Sequence, residues 1–228
     1  MTSSTPVRLK SKSTTLTHGY VRWIFLRMLS LCFMSAFLSL LVQVLGLYGK
    51  NGILPVAEYL NVGPNVNPLL YIQAPSIFWL NSSDSFLQLV CIGGAACSAL
   101  AFFGTLTGPM ILVCWFLYLS ICTVGRDFMG FQWDSLLLET GLLAAFYAPW
   151  KLQEASVLNR AEFEKDSEGS IVFLWLLRLL LFKLMFLSGI VKLSSGDVTW
   201  RDLTALNYHY ETQPLPTPLA WFCAKLPE

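Results

Sequence analysis

Five long apolar stretches constrain the fold of this 228-residue chain more than any other feature. A helix needs about 20 mostly apolar residues to cross the hydrocarbon core of a bilayer, where it satisfies its own backbone hydrogen bonds. The pattern therefore predicts an all-α fold, a polytopic membrane helix bundle with about five transmembrane segments. The predicted spans are Met28–Leu45, Phe86–Phe103, Met110–Val124, Ser135–Trp150 and Ile171–Val191.

The composition supports a chain that is mostly surrounded by lipid. Apolar residues make up 55% of the sequence and charged residues 13%, and the mean hydropathy is +0.57. A water-soluble protein of this size needs more polar residues to cover its surface. The net charge of +1 and the lack of a basic stripe exclude a nucleic-acid partner. The sequence has no CxxC pair and no histidine cluster, so no metal or cofactor site is predicted.

The placement of charges predicts the orientation in the membrane. The segment before the first span holds five basic residues and no acidic one: Arg8, Lys10, Lys12, Arg22 and Arg27. Basic residues favour the cytosolic side of a membrane, so residues 1–27 are predicted to form a cytosolic basic N-terminus. Five spans over residues 28–191 then carry the chain across the membrane an odd number of times. Residues 192–228 are therefore predicted to form a luminal tail.

The loop between the first two spans, Gly46–Ser85, is then luminal. It contains Asn81-Ser82-Ser83, an Asn-x-Ser acceptor, which predicts glycosylation at Asn81. The apolar part of this loop, Pro68–Leu80, is too short to cross a bilayer. It is predicted either to lie in the membrane interface or to fold back against the helices.

Three charged residues, Glu139, Arg178 and Lys183, lie inside the predicted spans. A charge at the centre of a membrane helix costs roughly 2.5–3.5 kcal/mol, so such residues face a bundle interior, a wet cavity or one another. A structural ion pair between Glu139 and either Arg178 or Lys183, which locks the fourth and fifth spans together, is favoured over a polar functional site.

The segment after the fifth span is rich in polar and aromatic residues. Trp200-Arg201-Asp202 and Tyr208–Thr212 bring a base, acids, an imidazole and phenols close together in the sequence. His209 and Glu211 are candidates for a general acid and base, but a segment packed under the membrane interface is favoured. The prolines at 214, 216 and 218 argue against helix through this stretch.

Several stretches taken together resemble signature segments of the lipase maturation factor family, and the combination is highly specific. The resemblance covers roughly Leu45 to the end of the chain. The stretches are Gly46–Gly49 with Gly52–Pro55, then Phe131–Gly141, then Trp200–Leu206 continuing to Tyr208–Pro218. The family-motif residues of interest in them are Trp133, Asp134, Arg201, Asp202, His209 and Glu211.

The resemblance implies a multi-pass membrane protein of the endoplasmic reticulum that assists the maturation, folding and transport of secretory clients such as dimeric lipases. It implies no enzyme and no catalytic residue, because the family has no accepted catalytic motif. Client contacts are then expected on the loops Gly46–Ser85 and Gly125–Asp134 and on the tail from Lys192. Four tryptophans are expected to be exposed there: Trp79, Trp133, Trp200 and Trp221.

An alternative stays open, because the family is distantly similar to the vitamin K-dependent carboxylase. In that interpretation the chain is a membrane enzyme that uses Lys183, Glu139 or His209. Family members also continue well beyond the position of Glu228, with further apolar segments and a large luminal region. The resemblance therefore implies that this chain is a truncated N-terminal part.

Overall fold

The computed structural model describes residues 8–60, 69–155, 163, 169–212 and 217–225. Helices form the regular secondary structure of these residues, apart from one isolated bridge between Thr105 and Gln153. Single helical turns lie at Leu70–Gln73, Ile77–Trp79 and Arg126–Phe128. The long helices are α1 (Arg8–Tyr48), α2 (Asp84–Phe102), α3 (Thr107–Gly125), α4 (Gln132–Tyr147) and α5 (Ile171–Ser194). The short helices that follow them are α6 (Val198–Arg201), α7 (Ala205–Thr212) and α8 (Pro218–Cys223).

The described residues contain four helical stretches that are long and apolar enough to cross a bilayer. These stretches are His18–Tyr48, Asp84–Phe102, Thr107–Phe128 and Ile171–Ser194. The predicted fold class, an all-α helical membrane bundle, is confirmed.

The fifth apolar stretch, predicted as Ser135–Trp150, forms α4. Its 16 residues give a length of about 24 Å, at 1.5 Å per residue, and the hydrocarbon core is roughly 30 Å thick. The helix nevertheless packs along α3. The N–H of Gly108 donates to the carbonyl of Pro149 at 3.1 Å, which ties the far end of α4 to the start of α3.

The chain divides into two compact units, Met1–Leu177 and Arg178–Glu228. In the first unit, α1, α2, α3 and α4 pack in sequence, and α1 also contacts α3 and α4. Both ends of α2 are tied to α1, since the guanidinium of Arg27 donates to the carbonyl of Ala101 and the N–H of Lys50 donates to Asp84. The helices α1 and α2 are therefore antiparallel.

One face of α1 supplies much of the core of this unit. Phe33, Phe37, Val44 and Tyr48 recur at helical spacing, and each is at most 1% exposed. The rings of Phe33 and Phe37 both meet the ring of Tyr118 edge-on, at centroid distances of 6.1 and 5.8 Å. The aromatic contacts therefore join α1 to α3 across the middle of the bundle.

A small residue on α2 allows this close packing. A Cβ atom added to Gly94 would lie 2.5 Å from the ring of Phe37, whereas one added to Gly93 would meet open space. Only one of the two adjacent glycines is therefore required by a neighbouring helix.

The helix α1 begins 20 residues before the predicted first span, at Arg8 rather than Met28. The proposed boundary between residues 27 and 28 thus lies inside a helix. Arg22 and Arg27, which the sequence assigned to the basic N-terminal region, are buried within the unit, at 8% and 6% exposure.

The second unit contains the rest of α5 and three short helices. The prediction against helix through 192–228 is wrong for α6, α7 and α8. The helix α8 starts at Pro218, where the missing N–H costs nothing, and the hydroxyl of Thr217 accepts a hydrogen bond from the N–H of Ala220 at 3.2 Å. Pro214 and Pro216 lie outside the described residues.

Candidate functional site

One end of the first unit brings two of the sequence motifs together, and we call it the motif end. It consists of the end of α1 with Gly49–Pro55, the segment Ala74–Leu80, and Gly125–Asp134 between α3 and α4. Its opposite is the closed end, which consists of Arg27 with Phe103–Leu106 and Pro149–Glu154.

The glycine-rich motif after α1 folds into a tight turn. The N–H groups of Gly52, Ile53 and Leu54 donate to the carbonyls of Gly49, Gly46 and Leu47. A Cβ at Gly49 would lie 2.5 Å from the carbonyl oxygen of Leu45, and a Cβ at Gly52 would lie 2.8 Å from the backbone of Leu47. Two of the motif glycines are therefore required by close approach of the backbone to itself.

The apolar segment before α2 folds back against α3. The hydroxyl of Ser120 accepts a hydrogen bond from the N–H of Ile77 at 3.1 Å, and the hydroxyl of Ser76 donates to the carbonyl of Ser120 at 3.1 Å. Phe78 is 1% exposed in the core. Of the two predicted placements, packing against the helices is confirmed for Ala74–Trp79. Leu69, Tyr71–Gln73 and Leu80 are exposed, and residues 61–68 lie outside the described part.

The connection between α3 and α4 starts with a strained residue. Arg126 has φ +44° and ψ −121°, which L-residues rarely adopt. Its guanidinium lies over the ring of Tyr59 at 5.7 Å. Just before it, the hydroxyl of Tyr48 donates to the carbonyl of Gly125 at 3.4 Å, which connects the end of α1 to the end of α3.

The connection ends at a buried carboxylate in the first turn of α4. The hydroxyl of Tyr118 donates to Oδ1 of Asp134 at 2.6 Å, the short distance expected for a hydrogen bond to a charged oxygen. Asp134 is 5% exposed, and its Oδ2 is buried with no hydrogen-bond partner among the described residues. Burying a carboxyl oxygen without a hydrogen-bond partner is unfavourable, so Oδ2 of Asp134 lowers the stability of the motif end.

Sequence reasoning singled out Asp134 only as a motif residue and placed the buried charge at Glu139. In the structure Asp134 is buried and the side chain of Glu139 is exposed. Helical spacing contained the signal: Asp134 lies on the same face of α4 as the buried Gly141, Ala144 and Ala145, whereas Glu139 lies off it. The proposed pairing of Glu139 with Arg178 or Lys183, whose side chains are also exposed, stays a prediction.

Two exposed aromatic side chains flank the start of α4, and we call them the aromatic pair. The rings of Phe131 and Trp133 are stacked, with centroids 4.6 Å apart and planes 12° from parallel. They are 46% and 66% exposed. The pair presents a flat apolar surface directly beside the buried Asp134.

The other tryptophans expected at the surface differ in their burial. Trp221 is exposed. Trp79 is half-buried, and its indole N–H donates to the carbonyl of Ala74 at 2.9 Å. Trp200 is half-buried under the ammonium group of Lys192, 4.7 Å from its ring. Exposure was thus predicted correctly for Trp133 and Trp221 and wrongly for Trp79 and Trp200.

The motif residues of the tail lie in the second unit. Arg201 ends α6, Asp202 follows it, and both are exposed. His209 lies on α7, exposed, with its ring 5.9 Å from that of Tyr210. Glu211 belongs to the same helix, and its side chain lies outside the described part.

Asn81, in the first unit, is exposed, and its Oδ1 accepts a hydrogen bond from the N–H of Ser83 at 2.9 Å.

The closed end is held by charges and by backbone pairing. The guanidinium of Arg27 donates to Glu154 at 2.6 Å, with side chains 7% and 10% exposed. The N–H of Leu106 donates to the carbonyl of Leu152, and the N–H of Glu154 donates to the carbonyl of Gly104. These bonds join the loop between α2 and α3 to the segment after α4.

The fold defines a multi-pass helical membrane protein, with a buried carboxylate and an exposed aromatic surface at one end of its first unit. The family model described as the lipase maturation factor transmembrane domain matches residues 20–228. The chain therefore belongs to the lipase maturation factor family, as the signature segments predicted.

Relatives of known name agree with this assignment. The chain is 42% identical over 217 residues to lipase maturation factor 2 of Homo sapiens, covering 90% of this chain and 30% of the relative. It is 41% identical over 222 residues to lipase maturation factor 2 of Xenopus laevis, covering 92% and 30%. For lipase maturation factor 1 of Bos taurus the identity is 34% over 232 residues, covering 97% and 39%. No solved structure matches the chain.

Proposed function

We propose that this chain is the membrane part of an endoplasmic reticulum factor that assists the maturation, folding and transport of secretory proteins such as lipases, without catalysing a reaction. The observation that carries the proposal is the family match over 20–228, which includes the whole motif end. The chain spans about 30% of the length of the factor 2 relatives. The activity of the whole protein is therefore part of the proposal.

The aromatic pair supports a binding role for the motif end. Exposed aromatic side chains provide a large contact area at a small cost in side-chain entropy, and they are frequent in recognition surfaces. Phe128, 38% exposed, lies on the same connection and packs edge-on against Tyr48 at 6.3 Å. This surface suits contact with the apolar surface of a partly folded client.

The proposed orientation puts the N-terminus in the cytosol and the motif end in the lumen, where secretory clients fold. Asn81 belongs to the same side, and its exposed amide is accessible for glycosylation. Expression in mammalian cells followed by deglycosylation tests the orientation. Asn81→Gln and Ser83→Ala are expected to abolish the mobility shift, and Ser82→Ala is expected to keep it.

The function is tested in cells that lack the endogenous family members. The chain, a full-length factor as positive control and an empty vector are expressed separately, and secreted lipase activity is divided by secreted lipase mass. The proposal expects this ratio to rise above that of the empty vector. If the ratio is unchanged while a covalent modification of the client appears, the enzyme interpretation replaces the proposal.

A further inference from the structure

The connection between α3 and α4 is attached to the bundle by two tyrosine hydroxyls. Tyr48 holds its start through the carbonyl of Gly125, at 3.4 Å, and Tyr118 holds its end through Oδ1 of Asp134, at 2.6 Å. The second bond is far shorter and ends on a carboxylate, so it is the stronger attachment.

Asp134 is also joined directly to the aromatic pair. Its own N–H and that of Ser135 donate to the carbonyl of Phe131, at 3.2 and 3.3 Å. Trp133 is its neighbour in the chain, in the first turn of the same helix. A movement of Asp134 away from Tyr118 would therefore move the aromatic pair with it.

Stability alone does not require an acid at this position. Oδ2 is buried without a partner among the described residues, and replacing both members of a buried polar pair by apolar side chains of similar volume is often nearly neutral for stability. A directional hydrogen bond differs from apolar packing because it selects one orientation among several that pack similarly well.

We propose that Tyr118 and Asp134 are positioning residues, whose hydrogen bond fixes the orientation of the aromatic pair at the luminal surface. The consequence for clients rests on the proposed function, since the fixed pair is the surface that the client contacts. Neither residue touches the client in this arrangement.

The orientation is measured on the full chain in lipid nanodiscs by electron paramagnetic resonance. A nitroxide is attached at Gln132→Cys, an exposed position between the two aromatic residues, in a background in which the exposed Cys32 and Cys223 are serines. Three variants are compared in this background. Tyr118→Phe/Asp134→Leu replaces the pair by apolar groups, Asp134→Asn keeps an acceptor for Tyr118, and Ser98→Ala removes a buried hydroxyl that bonds only within its own helix.

The double variant is expected to keep its helical content and to raise the ratio of mobile to restricted label roughly tenfold, the factor that corresponds to losing one hydrogen bond to a charged group. Asp134→Asn and Ser98→Ala are expected to leave the label restricted. The proposal is overturned if the label in the double variant stays as restricted as in the parent. It is also overturned if Asp134→Asn frees the label as much as the double variant does. The charge of Asp134, and not its hydrogen bond to Tyr118, would then restrict the label.

The lipase assay separates this inference from the proposed function. The double variant is expected to lower lipase activity per mass toward the empty-vector value, while Asp134→Asn retains it. If the label is freed but the lipase ratio stays at the parent level, positioning for clients is wrong and the proposed function stands. If the parent chain itself fails to raise the ratio, the proposed function fails, and the positioning for clients fails with it.

Discussion

The closed end of the first unit joins two opposite charges, whereas the motif end buries one charge alone. Arg27 and Glu154 meet at 2.6 Å, and backbone hydrogen bonds join the two segments beside them. Among the residues that the structure describes, Asp134 has a phenol as partner for one oxygen and no partner for the other. Aromatic side chains are exposed at both ends, Phe103 and Trp150 at the closed end and the aromatic pair at the motif end. The difference between the two ends therefore lies in how their buried charges are partnered.

The difference indicates how the two ends are used. A buried ion pair, supported by backbone pairing, holds the helices in register. Oε1 of Glu154 is buried without a hydrogen-bond partner among the described residues, as Oδ2 of Asp134 is, but Oε2 of Glu154 meets a full opposite charge. A singly bonded carboxylate beside exposed rings fits the positioning role proposed for Tyr118 and Asp134. We therefore expect changes at the closed end to affect folding first and changes at the motif end to affect client maturation first.

The largest effect is expected from Glu154→Ala. The substitution leaves Arg27 buried without its carboxylate, and breaking a buried pair in this way costs about 3–5 kcal/mol. Thermal unfolding of the purified chain in detergent, followed by circular dichroism, measures the loss. The matched control Arg27→Met/Glu154→Leu should recover most of it, because both charges are removed together. A loss as large in the double variant as in the single one would contradict the assignment of a pairing role.

A smaller effect is expected from Gly104→Ala at the closed end, compared with Gly130→Ala at the motif end. Gly104 has φ +82°, and a Cβ there would lie 2.8 Å from Nη2 of Arg27, so alanine should cost about 1–3 kcal/mol. At Gly130 the nearest atom to a Cβ is the carbonyl oxygen of Arg126, at an ordinary 3.5 Å. The same unfolding measurement should show little change for Gly130→Ala. If both variants lost the same free energy of unfolding, the closed end would not be the more sensitive of the two ends to a glycine substitution.

The smallest effect on stability is expected from Trp133→Ala and Leu152→Ala. Both side chains are well exposed, at 66% and 73%, so each change should alter the free energy of unfolding by less than about 0.5 kcal/mol. In the lipase assay only Trp133→Ala should lower the activity per mass, because the proposed function assigns client contact to the motif end. A comparable fall for Leu152→Ala would mean that the assay reports general damage to the surface.

Much of the fold could be predicted because it depends on local composition. The apolar stretch predicted as Phe86–Phe103 is the helix Asp84–Phe102, and the one predicted as Met110–Val124 is Thr107–Gly125. Length, apolar runs and their polar boundaries decide such helices within a few residues. The helix α1 starts 20 residues before the predicted span because its first turns are mostly polar and basic, and Arg22 and Arg27 interrupt the apolar pattern that follows.

The candidate site depended on contacts between residues that are distant in the sequence. Arg27 and Glu154 are 127 residues apart, and no local pattern connects them. The burial of Asp134 rather than Glu139 depends on which face of α4 meets α3, and the fold-back of Ala74–Leu80 depends on Ser120 of another helix.

The sequence by itself thus determined that the chain is a helical membrane protein of the lipase maturation factor family. Hydropathy and signature segments depend only on which residues follow one another along the chain. Only the tertiary structure decided which charges are buried, which are paired and which aromatic residues remain exposed. The physical reason is that the energy of a charge or a ring depends on the neighbours that packing brings to it, and these neighbours come from other helices.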